Sequence, residues 1–100
     1  MVYFMIYGCT GYTGRLVASY AKSLNLNFII AGRKEDKTRA LATNLDVQYR
    51  FFNINEPNLI DEYLEGARLL LNCAGPFVYT ARPLMESCIR VGARQLLFGP

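Results

Sequence analysis

Three glycines, Gly8, Gly11 and Gly14, stand in the run Gly8-Cys9-Thr10-Gly11-Tyr12-Thr13-Gly14. Such a run takes a diphosphate when a strand leads into it and a helix leaves it. Backbone N–H groups at the helix start then point at the anion, and the helix dipole favours negative charge there. Glycine is needed where a Cβ would block the turn or hold a ligand off the backbone. The spacing G-x-x-G-x-x-G is a variant of the dinucleotide fingerprint. Gly8 is assigned the turn, Gly11 the approach of the pyrophosphate and Gly14 the packing of helix on strand; Thr10, Tyr12 and Thr13 complete the candidate loop. The competing reading is a glycine-rich turn that only shapes the fold.

A second stretch bears on which dinucleotide fits. Ala31-Gly32-Arg33-Lys34 closes an apolar segment, at the place where NAD binders put an acid for the ribose hydroxyl and NADP binders an arginine. A guanidinium meets a phosphate through two charge-assisted hydrogen bonds. Arg33 and Lys34, with Lys37 and Arg39 behind them, therefore favour NADP over NAD. Glu35 and Asp36 fit the first turn of a helix. Arg15 reaches a phosphate or is a plain surface arginine. Asn53 is assigned to the adenine edge, with a turn residue as the equal alternative. Ala74-Gly75-Pro76 leaves room for the inner ribose and nicotinamide, with Pro76 and Phe77 as pocket wall, or else simply breaks a strand.

Proton chemistry to accompany hydride transfer is harder to place. The chain has no histidine, and none of its tyrosines begins a Tyr-x-x-x-Lys pattern. Cys9 and Cys73 are nucleophiles or packed thiols, and without a basic partner the packed thiol is preferred. No catalytic residue and no metal ligand is assigned.

The elements that must position these residues alternate strand and helix. Strands are expected over 2–7, 28–31, 47–52, 69–73 and 95–98. Helices are expected from Thr13 or Gly14 to Leu24, from the polar start at Arg33 to Asn44, from Pro57 to Gly66, and from a Thr80 cap to Gly92. Their apolar stripes read Leu16, Val17, Tyr20, Ala21 and Leu24; Leu41, Ala42 and Leu45; Leu59, Ile60, Tyr63 and Leu64; and Leu84, Met85, Cys88 and Ile89. The alternation predicts an α/β fold, a Rossmann-type doubly wound parallel sheet of about five strands in order 3-2-1-4-5 with helices on both faces. One domain over 1–100 suits the length, and an apolar content of 52% supplies a core. The net charge of +3 is too small to argue for nucleic acid. Three cysteines without C-x-x-C spacing suit reduced thiols in a cytoplasmic protein. No signal peptide or membrane span is indicated. Leu96, Leu97 and Phe98 would leave an apolar sheet edge, to be covered by a second copy or by a following domain.

With these residues in hand, Gly8–Arg15, Ala31-Gly32-Arg33 and Leu71-Asn72-Cys73-Ala74-Gly75-Pro76-Phe77 resemble the NADP-binding domain of saccharopine dehydrogenase-like proteins, a family that includes saccharopine reductases and trans-acting enoyl reductases. The resemblance covers essentially the whole chain, and Asn-Cys-Ala-Gly-Pro-Phe is its most specific block. The family tends to have Asp where Asn53 stands, and it usually continues into a large substrate domain. The resemblance thus implies the cofactor half of an NADP-dependent oxidoreductase. A non-catalytic module that senses NADP(H), and a degenerate domain serving assembly, are the other readings.

Overall fold

A computed structural model describes residues 3–97 of the chain. Strands β1 (Tyr3–Tyr7), β2 (Phe28–Gly32), β3 (Tyr49–Phe51), β4 (Ala67–Asn72) and β5 (Arg94–Leu97) alternate with helices α1 (Tyr12–Ser23), α2 (Glu35–Leu45), α3 (Pro57–Leu64) and α4 (Phe77–Val91). All strand pairs are parallel, in the order β3-β2-β1-β4-β5. This is the Rossmann-type order expected from the alternation. Val2 and Phe98, expected in the first and last strands, lie outside the described residues.

The central strands are apolar on both faces because a helical layer covers each. On one face Ile6, Phe28 and Ile30 pack against Ala18 and Ala21 of α1 and Leu41 and Ala42 of α2. On the other, Met5, Tyr7, Ile29 and Leu70 pack against Ile60 and Leu64 of α3 and Leu84 and Cys88 of α4. Full burial of such side chains contributes about 1.5–3 kcal/mol each, so β1, β2 and β4 form a stiff platform. The strand ends then have fixed positions from which loops carry the polar residues.

Several boundaries differ from expectation for local reasons. The third strand is short because Val47 is drawn into the end of α2: Asp46 is left-handed (φ 56°), and the Val47 N–H donates to the Ala42 carbonyl. β4 starts at Ala67, straight after Gly66 at φ +90°. α2 begins at Glu35, leaving Arg33 in a bend and Lys34 in extended backbone before it. Thr80 is not the cap of α4. Pro76 occupies that position, and the Thr80 hydroxyl turns inward to bond the Ala74 carbonyl.

Two expected apolar stripes also move. α1 meets the sheet through Gly14, Ala18 and Ala21, while Leu16, Tyr20 and Leu24 are exposed. Only small side chains fit, because Gly14 lies so close to Gly8 and Cys9 that a Cβ there would strike their backbone. On α4 the buried face is Thr80, Leu84, Ser87 and Cys88, and Met85 and Ile89 face outward. The inward polar pair is satisfied by Asn72 and Asp61, which lets the helix turn its polar positions inward.

Candidate dinucleotide-binding cleft

At the carboxyl ends of the strands, beside the switch point at β1, lies a cleft of about 480 Å³. The end of β1 delivers Gly8 to it at φ +80°, a backbone that L side chains rarely adopt. The loop is tied to β2 by N–H groups of Gly8 and Cys9, which donate to the Ala31 carbonyl at 3.0 and 3.4 Å. Gly11 precedes α1 as its N-cap, and no side chain caps that helix. The first-turn N–H groups of a helix have no partner within it. Those at the start of α1 are therefore placed to meet an anion.

The three glycines divide their tasks. Gly8 supplies the turn, and a Cβ there would also come within 2.6 Å of the Ala74 nitrogen. Gly14 allows α1 to sit against the end of β1. A Cβ on Gly11 would meet only the Gly8 carbonyl, at 3.7 Å, so this is the position open to the cleft side. The residue at Gly32 is constrained as well, since a Cβ there would collide with the Thr38 hydroxyl oxygen. Thr38 itself donates to the Lys34 carbonyl at 2.7 Å and fixes the start of α2.

Gly8, Thr10, Gly11, Arg33, Lys34, Asn53, Ala74 and Gly75 of the expected set line the cleft. Tyr12, Thr13 and Gly14 belong instead to the first turn of α1, and Pro76 to the N-cap of α4. Pro76 adjoins the wall at Gly75 and does not itself line the cleft. Tyr7, Gly32, Cys73 and Thr80 line it although they were not in the expected set. Gly32 had a legible signal, a glycine closing a buried strand. Thr80 had none, because its role depends on a partner eight residues away across the fold.

The cations near the end of β2 are sorted by their partners. Arg33 and Lys34 face the cleft, and Lys37 lines it together with a neighbouring groove of about 440 Å³ between α1 and α2. Arg15 lines that groove, not the cleft. Arg39 is paired with Glu35 at 3.6 Å, and the Tyr49 hydroxyl also donates to Glu35. Asp36 accepts the Lys37 N–H at 2.9 Å. Both acids are thus engaged at the start of α2, as a helix dipole favours, and Arg39 is turned away from the cleft.

Asn53 is a turn residue on the cleft wall. Its Oδ1 accepts the Asn55 N–H at 3.0 Å, an Asx turn, while the residue remains exposed on the cleft wall. Burial pushes Cys9 up to about 11 and raises Cys73, so both stay protonated near neutrality. Burial also raises the Tyr7 phenol, against the pull of the Arg33 charge.

Residues 4–96 match the family model for the saccharopine dehydrogenase NADP binding domain. A saccharopine dehydrogenase-like oxidoreductase from Mus musculus is 25% identical over 107 residues, covering 88% of this chain and 25% of its own. The chain thus spans about a quarter of the length of the curated relatives it matches. Apo saccharopine dehydrogenase from Saccharomyces cerevisiae superposes with a TM-score of 0.84 at 16% identity, over 98% of this chain and 22% of that one. Triphenylmethane reductase from Citrobacter sp., crystallised with NADP(H), gives a TM-score of 0.77 at 20% identity, over 96% of this chain and 37% of that one. These two likenesses show the shared fold, whereas the family match extends over nearly the whole sequence. The chain therefore belongs to the saccharopine dehydrogenase NADP binding domain family, and NADP is the dinucleotide that this domain binds.

Proposed function

We propose that the cleft holds NADP(H) with its pyrophosphate over Gly11 and the first turn of α1, where Tyr12, Thr13 and Gly14 contribute backbone N–H groups. Arg33, Lys34 and Lys37 select the 2′-phosphate. Asn53 offers its amide to the adenine edge, and Ala74 and Gly75 border the nicotinamide side, with Pro76 holding the following helix. Bound NADPH supplies a hydride; the residues of this chain bind, orient and partly bury the carrier. The single observation that supports this reading is the meeting, in one cleft, of the uncapped start of α1 with three cations, Arg33, Lys34 and Lys37, that no acid pairs among the described residues.

The reading extends to the whole protein in three steps. Residues 1–100 form one NAD(P)-binding domain, the N-terminal part of a longer NADP-dependent oxidoreductase whose other part carries the substrate. Its cysteines are free thiols, which suits a reducing cytoplasm. The exposed β5 edge receives a second copy or the following domain. Calorimetric titration with NADP and NAD tests the core of the reading. Tighter binding of NADP is expected, and equal affinities would remove Arg33 and Lys34 from the role of selector.

A further inference from the structure

The polar cluster at the carboxyl end of β4 reaches the cleft wall through Thr80 and Ala74, but its hydrogen bonds have no part in the reading so far. Asn72 is wholly buried. Its Nδ2 donates to Thr80 Oγ1 and to Gln95 Oε1, each at 3.1 Å, and its Oδ1 accepts the Ala74 N–H at 3.1 Å. The Thr80 hydroxyl donates to the Ala74 carbonyl at 2.7 Å. Gln95 Nε2 donates to the Ala81 carbonyl at 3.1 Å. Residues of β4, α4 and β5 thus close one network, and among the described residues no buried side-chain polar atom lacks a partner.

A buried amide is costly unless paired, so a fully satisfied one admits a single arrangement of its neighbours. What this arrangement fixes is Ala74. Both its N–H and its carbonyl are held by side chains, and it lies hard against Gly8. Helix α4 has no need of the network to stay on the sheet, because Leu84 and Cys88 already bury apolar surface there. The adenosine side is tied by other bonds. Gly8 and Cys9 bond to Ala31, Phe52 N–H donates to the Gly32 carbonyl at 3.1 Å, and Thr38 bonds to Lys34. None of these runs through Asn72.

We propose that Asn72, Thr80 and Gln95 are positioning residues: by clamping both backbone groups of Ala74 they set the Ala74-Gly75 wall, and with it the nicotinamide half of bound NADP(H). This inference rests on the cleft reading above. Gln95 does not line the cleft, so any effect of changing it on the ligand is indirect, through Asn72 or through the Ala81 carbonyl of α4. Thr80→Val is nearly isosteric and is the gentler change to the fold.

The test is calorimetric titration of wild type, Thr80→Val, Gln95→Leu and Thr80→Ser with two ligands, NADP and adenosine 2′,5′-bisphosphate, which fills only the adenosine side. Thermal unfolding of each variant is followed in parallel. Loss of a net hydrogen bond from the clamp should weaken NADP on the order of ten-fold in Thr80→Val and Gln95→Leu. The bisphosphate should bind as before, and Thr80→Ser, which keeps the hydroxyl, should restore NADP affinity. Equal losses for both ligands would mean general loosening and would overturn the inference, as would unchanged NADP affinity in both variants. Wild type that binds the bisphosphate but gains nothing from the nicotinamide half would overturn it as well, while leaving the adenosine side of the cleft reading intact. Wild type binding neither ligand would overturn the cleft reading and this inference together.

Discussion

Arg33 sits in the bend just after β2, exposed and without an ion pair among the described residues. A charge-assisted bond to phosphate is worth about 1.5–3 kcal/mol. Arg33→Ala should therefore weaken NADP by at least about ten-fold and leave NAD nearly unaffected; calorimetric titration of both cofactors checks the narrowing of the gap. Gly11 makes the opposite kind of demand. A side chain there meets little of the protein, with the Gly8 carbonyl at 3.7 Å from its first carbon, yet it would project where the proposed function puts the pyrophosphate. Gly11→Val should abolish cofactor binding while circular dichroism stays native. Lost folding would show that Gly11 is there for packing. Both residues were legible in the sequence because a glycine loop and the cation after β2 are local patterns. The direction in which Lys37, Arg39 and Arg15 turn was not: Arg39 turns to Glu35, and Arg15 and Lys37 line the groove between α1 and α2, which exists only once α2 is packed.

The helices teach the same lesson at the next scale. Strand order followed from alternation alone, because parallel strands with short connections leave few arrangements. Helix faces were less readable. An apolar count on α4 favours Met85 and Ile89, but its buried side carries Thr80 and Ser87, whose partners come from β4 and α3. The periodicity of one helix cannot reveal a hydrogen bond supplied by another. The consequence is measurable by denaturant unfolding. Leu84→Ala should cost about 2–5 kcal/mol, whereas Ile89→Ala, at 73% exposure, should fall within about 0.5 kcal/mol of wild type. Similar losses at both positions would contradict the orientation of α4. The α3–α4 contact adds a pH signature. Asp61 accepts bonds from Arg90 Nε at 2.7 Å, from Arg90 Nη2 at 3.0 Å and from the Ser87 hydroxyl. Arg90 and then Ser87 hold its carboxyl below the usual carboxylate value. Its folded pKa is thus lower than its unfolded one, so its stabilising effect is complete above about pH 4 and fades as pH falls through the folded value. Asp61→Asn should lower stability at neutral pH and flatten that acid-side decline, as thermal melts across pH would show.

For the molecule as a whole, the two ends of the sheet are unlike each other. The β3 edge is three residues long and carries Arg50, a short and charged edge of the kind that resists pairing. β5 ends in Leu96 and Leu97, at 53% and 52% exposure. Adjacent strand residues point to opposite faces, so neither helical layer covers this end. Ile89 on α4 lies exposed as well. An apolar edge with free backbone groups on one side invites a parallel or antiparallel partner. Residues 1–100 by themselves should therefore associate through β5 as concentration rises, with light scattering giving a mass that climbs toward a dimer. Leu97→Lys should place a charge on that edge and shift the equilibrium toward monomer, without changing NADP affinity, because no described residue of β5 lines the cleft. A wild-type mass that stays monomeric at every concentration would rule out pairing at β5. A dimer indifferent to Leu97→Lys would move the interface to the exposed Tyr12, Leu16 and Tyr20 stripe of α1.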